Sequence, residues 1–333
     1  MMNRYSNMKG MRRQVGVTLV ELMVALSIGS FLMIGAVQVY NQSREAFVVN
    51  ESIARVQETA QFAMDTIEAD LRMASNWGRQ SRGFAIVGRS ETGDPNPLTA
   101  PTGAIACGAL WALDLGNPVT GDNNNYGLPC PEDPMGIGVA QPNSDTVTTR
   151  RTTVAVAPLQ AGRLQIQSTR IQGELFWDGN VPPAFDPLGS ETHNLLINTY
   201  YVADSSTLIP GVPTLRRKSL VVNGGAPSID DQEVAPGVEN MQLQFGLDVD
   251  DDNTVDRYVN PGDPVLDPLA GGFLPGAKIM TVRIWLIVRG VSPEAGIVDQ
   301  VNYAPGDVAL GVYNDAFRRM QVSKTILLRN ARS

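Results

Sequence analysis

A chain of 333 residues with 43% apolar and 18% charged side chains can bury a sizeable core, as two average domains or one elaborated one. A net charge of −8 argues against a basic nucleic-acid-binding surface, and two cysteines with one histidine are too few for a cysteine-rich zinc site. The 32 glycines and 22 prolines concentrate after residue 78, which predicts a loop-rich, mostly β body.

Residues 1–16 carry Arg4, Lys9, Arg12 and Arg13 with no acidic residue, so their removal would take the net charge from −8 to about −12. Gly16 then precedes an apolar run, Val17–Val37, that holds a single charge, Glu21. Its length matches the ~20 residues needed to cross a bilayer. An ordinary secretory signal has a shorter core and is cut after it. Here the glycine comes first, so cleavage at Gly16–Val17 would keep the apolar segment in the mature chain. The basic leader favours a cytoplasmic start, with the body across the membrane.

The helical pattern continues beyond the apolar run. Val49, Ile53, Val56, Ala60, Ala63, Ile67 and Leu71 recur at steps of three and four, one face of a helix. Glu51/Arg55 and Glu68/Arg72 are i,i+4 pairs elsewhere on its surface. No proline occurs before Pro95, and Ser75-Asn76-Trp77-Gly78 offers a stop. The expected division is a leader, 1–16, a long helix, 17–76, whose residues 17–39 span a membrane, and a β-rich body, 77–333. The helix, from Val17 to about Ser75, would be roughly 88 Å long, and its amphipathic second half must dock on the body. A carboxylate in a membrane helix is functional by default. Near a helix start, however, Glu21 could simply reach the headgroups and complement the helix dipole.

Beyond Gly78 the pattern changes to short strands. Candidates are Thr146–Ala157, Leu164–Thr169, Leu195–Ala203, Leu215–Val222, Met241–Val249, Ile279–Arg289 and Arg319–Leu328. The clearest alternates Val282, Ile284, Leu286 and Val288 with Arg283, Trp285, Ile287 and Arg289. Gly88–Pro142 reads as a long insertion rich in turns, holding Cys107 and Cys130. If the body is exported, an oxidised pair is the natural reading; two free buried thiols are the alternative. No repeat or linker splits the body, so one α+β domain on the helix is expected.

The run from Asp248 to Asp256 places Asp248, Asp250, Asp252 and Asp256 at positions 1, 3, 5 and 9 of a calcium-loop spacing. Asn253 stands where such loops have glycine, and Val259 stands where they have a bidentate glutamate. Calcium is therefore the one cofactor the sequence allows, against a solvated acidic hairpin. No nucleophile elbow, phosphate-cradling loop or two-histidine motif is present. His193 reads as a surface or turn residue, and Arg216-Arg217-Lys218 as a solvated strand edge. The four tryptophans read as packing residues, except Trp285, whose polar strand face suggests a contact with a neighbouring element or subunit.

A basic leader, Gly16, and an apolar helix with Glu21 at its fifth position resemble the processing site and helix start of type IV prepilins. Tyr200-Tyr201-Val202-Ala203, Leu215-Arg216-Arg217, the run Pro236–Gly246, Asp248–Tyr258, Val282-Arg283-Ile284-Trp285-Leu286 and Leu328-Arg329-Asn330 look like the body of PilW-type minor pilins. The resemblance covers the helix and roughly residues 195–330, leaving 79–194 uncovered. It implies an α+β, pilin-like fold: a long N-terminal helix, membrane-spanning in its first half, packed on a sheet-rich domain. It also implies cleavage after Gly16 and N-methylation of Val17 by a prepilin peptidase, with Glu21 neutralising the amino group of a neighbouring subunit. Prepilins usually have phenylalanine where this chain has Val17, which bears on cleavage efficiency. The implied role is non-enzymatic. It is a minor pilin that starts in the bacterial inner membrane with a periplasmic body, then joins other minor pilins, the major pilin and a tip adhesin in priming pili for twitching motility and adhesion. Rival readings are a minor pseudopilin of type II secretion, a membrane-tethered ligand- or calcium-binding protein, and a tethered enzyme.

Overall fold

A computed structural model describes residues 16–90, 98–100, 102–132, 136 and 138–332. The leader residues Arg4, Lys9, Arg12 and Arg13 lie outside this range. Helix α1 runs Leu19–Met73. It begins in a capping box: Glu21 N donates to Thr18 Oγ1 (3.3 Å), and Thr18 N donates back to Glu21 Oε2 (3.0 Å). It ends two residues before the expected stop, where Ser75 turns to φ 65° and Gly78 to φ 85°.

The remaining elements follow in order: β1 (Ile86–Val87), the short helix α2 (Ala109–Leu113), β2 (Val119–Asp122), β3 (Thr146–Thr152), β4 (Gln165–Ser168), β5 (Gly173–Phe176), β6 (Glu191–Ala203) and β7 (Thr214–Asn223). After them come β8 (Ala226–Pro236), β9 (Val238–Asp248), β10 (Arg257–Val259), β11 (Lys278–Arg289), β12 (Asn302–Tyr303), β13 (Gly311–Val312) and β14 (Arg319–Leu327). The larger sheet is built on β6, whose first residues pair with β4 and whose remainder pairs with β3 and β7. The smaller sheet is antiparallel throughout, in the order β10-β9-β11-β14.

The chain divides into two compact units, Met1–Ser52 and Ile53–Ser333, and α1 is continuous across the boundary. In the first unit every described residue from Gly16 onward is exposed except Ser52, which is partly buried. In the second, the predicted stripe does bury: Val56, Ala60, Ala63, Ile67 and Leu71 pack with Met241, Leu243 and Phe245 of β9 and Val282, Ile284 and Leu286 of β11. The alternation read in β11 is thus one core-facing and one outward-facing row, as period-two geometry requires.

The described part of Gly88–Pro142 is rich in turns, as expected, but it is more than a surface insertion. It contributes α2 and strand β2, and forms much of a second core in which Trp111, Leu113 and Leu115 join Ile166, Ile197 and Tyr201. What seats it is Arg150 on β3, a fully buried guanidinium. Its Nε donates to Trp111 O (2.8 Å), Nη1 to Asn117 O (2.7 Å) and Nη2 to Leu110 O (3.1 Å). Burial away from water lowers its pKa to about 10, and nearby Asp114 partly offsets this. Cys107 and Cys130 form a disulfide within the same region, with Cα atoms 4.4 Å apart. Replacing both cysteines with serine is expected to lower unfolding stability by roughly 3 kcal/mol, from the loop-closure entropy returned to the unfolded chain. Denaturant melts of the two proteins under non-reducing conditions measure the difference.

Candidate functional site

At the amino-terminal end, Gly16 and Val17 are exposed in an extended segment just ahead of α1. Glu21 lies one turn into the helix, with its carboxylate held by its own N-cap, since Thr18 N and Thr18 Oγ1 both donate to Oε2 at 3.0 Å. These bonds occupy one carboxylate oxygen, which leaves lone pairs for a further donor. The helix beyond is apolar around its whole circumference: Leu22, Leu26, Phe31, Leu32, Met33 and Ile34 are all more than half exposed. It is long and apolar enough to cross a membrane by length and composition, and none of that stretch is buried.

The other end of α1 is tied to the sheets by buried charge. Asp70 takes Arg151 Nε (3.0 Å) and Nη2 (2.7 Å) on one oxygen, and Asn198 Nδ2 and Tyr200 Oη, both at 2.6 Å, on the other. Glu68 pairs with Arg72 along the helix and with Lys324 of β14. Its pKa is lowered chiefly by the hydrogen bond from Lys324. A third buried hub, Arg319, bonds Glu239, Asp299 and Asp315 and fastens the segment before β14 to the smaller sheet.

In the acidic loop after β9, Asp248, Asp250 and Asp256 bring one carboxylate oxygen each within 4.8 Å of the others. Asp252, the fourth candidate, is not in the group; it accepts from Thr254 N and Oγ1 at 2.7 Å. Buried Asp248 accepts from Asp251 N (2.7 Å) and Asn253 N (2.9 Å), and Asp256 from Val249 N (2.8 Å). Asn253 has φ 65°, the left-handed turn that its place in the loop demands. Three carboxylates could supply part of a calcium shell, the rest coming from backbone or water. The hydrogen bonds to the loop's own backbone account for the arrangement equally well without an ion. Replacing Asp248 with alanine is expected to cost about 1–3 kcal/mol by orphaning two amides. Melting each protein with and without millimolar calcium separates the two roles: a held ion raises the wild-type melting temperature and leaves D250N unmoved.

Residues 199–330 match the family described as Type IV Pilus-assembly protein W, and residues 11–37 match the Prokaryotic N-terminal methylation motif. Over those two stretches the chain is PilW-like and type IV pilin-like. Its long apolar helix and sheet-rich body form an α+β fold. The methylation motif spans Gly16, Val17 and Glu21, while the PilW match runs from within β6 to the end of the chain's last strand and beyond. No curated protein matches the chain significantly. Among solved structures, a type IV-like pilin from Thermus thermophilus resembles it at 16% identity, covering 59% of this chain and 84% of that one. The TM-score of 0.28 is too low for that likeness to carry an argument.

Two sequence expectations about the PilW-type body are corrected. His193 is neither a surface nor a turn residue: it is buried on β6, with Nδ1 2.9 Å from Thr153 O. Its ring lies against Gly78, where any side chain would meet it, since a Cβ would sit 2.5 Å from Cδ2. Arg216 and Lys218 are not on a solvated edge either. Strand β8, unforeseen, covers β7 and brings Asp231 opposite Lys218, so both basic groups pair with one buried carboxylate. Tyr201 Oη donates to the same carboxylate at 2.7 Å. None of these buried pairings has a local sequence signal; they depend on strand register.

Proposed function

We propose that this chain is a minor pilin that takes part in priming and in the tip complex of a type IV pilus, serving twitching motility and adhesion. The observation that carries the reading is the first half of α1, residues 19–39, apolar on every side and exposed at every residue. Such a surface suits lipid first and neighbouring pilin helices afterwards. In this reading a prepilin peptidase cleaves after Gly16 and methylates Val17. Glu21 then receives the amino group of a neighbouring subunit, with the body periplasmic before assembly and at the cell surface afterwards. The matches point to a structural protein rather than an enzyme.

The nearest alternative, a minor pseudopilin of type II secretion, shares every feature of the helix. Deleting the gene and scoring surface pili, twitching and protein secretion separates them. Loss of pili and twitching with secretion intact is the expected result; normal piliation with lost secretion would overturn it.

A further inference from the structure

The outer face of the smaller sheet bears an arginine that the fold does not use. Because Val282, Ile284 and Leu286 of β11 enter the core, Arg283 and Trp285 point the other way. Register brings Gln244 and Thr325 beside Arg283, and Ser323 beside Trp285. Tyr258 of β10 lies opposite Gly246, and its ring centroid is 3.9 Å from Arg283 Cζ; the Trp285 ring is 5.7 Å away. Gly246 makes that stack possible, because a Cβ there would lie 3.0 Å from Tyr258 Cε1 and 2.2 Å from Thr281 Oγ1.

One end of this face is closed. Asn240, Gln242 and Ile287 are buried, and Gly306 packs on Gln242. The other end is open: Ser323 and Thr325 are exposed, and Tyr258, Arg283, Trp285 and Gln244 are partly so. Among the described residues Arg283 makes no side-chain hydrogen bond and no ion pair, whereas Arg150, Arg216 and Arg319 are all bonded. A guanidinium laid flat on an aromatic ring keeps its donor edge free and oriented for a carboxylate. The residues paired directly with it are an amide and a hydroxyl, and rings lie against it, so Arg283 is the positive charge at the centre of this open end; the carboxylate of Asp307 is set back from it, bonded to Asn260, which in turn accepts from Gln244 at 3.4 Å.

We infer that this face is a binding platform for a carbohydrate chain bearing carboxylates. Arg283 takes a uronate carboxylate, the Trp285 ring stacks on a sugar face, and Gln244, Ser323 and Thr325 bond hydroxyls. Charge complementarity selects the acid. The carbohydrate is favoured over an acidic protein segment because the apolar area is confined to two rings, whereas protein interfaces have an apolar centre. The polar groups are spaced ~4.8 Å across strands and roughly 6.8 Å along them, a grid suited to ring hydroxyls. The proposal uses no residue of α1 and stands apart from the assembly reading.

The test uses the full chain in micelles of a non-glycosidic detergent, titrated with hexamers of galacturonate, alginate and hyaluronan, with cellohexaose, and with hexaglutamate. Tryptophan fluorescence and calorimetry follow binding. At least one uronate hexamer is expected to bind, with cellohexaose and hexaglutamate weaker by about tenfold or more. R283Q is expected to lose at least about tenfold in affinity at unchanged melting temperature. S323D, an exposed change that puts a carboxylate on the platform, is expected to do the same. Uronate binding that survives both substitutions, hexaglutamate binding as tightly as any uronate, or no uronate binding at all would each overturn the assignment.

Discussion

Replacing Glu21 with alanine should leave the chain cleaved, inserted and folded, yet reduce its recovery in sheared surface filaments by an order of magnitude or more. Among the described residues its carboxylate bonds only to its own N-cap at Thr18, so the body has no reason to respond. Losing a capping-box partner weakens only the first turn of a 55-residue helix. The large effect is intermolecular. A free amine at Val17 of an incoming subunit would have to enter an apolar helix packing unpaired, and an unpaired charge there is far more costly than one in water. E21Q, which keeps the shape and a hydrogen-bond acceptor but not the charge, should also fail. Immunoblots of membrane and sheared fractions read both. Equal incorporation of E21A would reduce Glu21 to a headgroup-facing cap.

Asp70→Ala is the substitution expected to cost the fold most, about 3–5 kcal/mol in unfolding stability. It leaves the Arg151 guanidinium without its carboxylate in a largely buried position, and strips Tyr200 Oη of its shorter bond and Asn198 Nδ2 of its carboxylate partner. The loss falls where α1 meets strands β3 and β6 of the larger sheet, so function should fall with it through misfolding rather than through any interface. D70N should cost less, since one oxygen still accepts while its amide faces donors. Denaturant unfolding of the three proteins ranks them, and a loss below about 1 kcal/mol for D70A would show that the pairing only offsets its own desolvation.

How much of this could be read from the chain depended on whether the signal was local. The stripe from Val56 to Leu71 was legible because a helix face repeats every three to four residues, and β11 because a half-buried strand repeats every two. Strand β8 was not. Its Ser228–Glu233 is rich in acids and amides, and it is a strand because β7 offers a partner and buried basic groups for Asp231 to meet. The same lack of long-range information placed Arg216 and Lys218 on an edge and His193 at the surface. Gly88–Pro142 looked like turns because its core contacts, such as Trp111 with Thr199 and Arg150, join positions far apart in sequence. The amino-terminal motif that holds Gly16, Val17 and Glu21 was legible because its residues are adjacent, and the methylation-motif match covers it. The calcium spacing named four aspartates, of which the loop gathers three, since Asp252 turns to Thr254 instead.

The central claim is that α1 serves as an assembly element rather than a permanent anchor, and one measurement reaches it directly. Surface filaments sheared from pilus-producing cells are digested, and the amino-terminal peptide of this chain is identified by mass spectrometry. The account predicts a peptide that begins at N-methylated Val17, recovered from the filament fraction. A chain found only in the membrane, or found with residues 1–16 still attached, would contradict it.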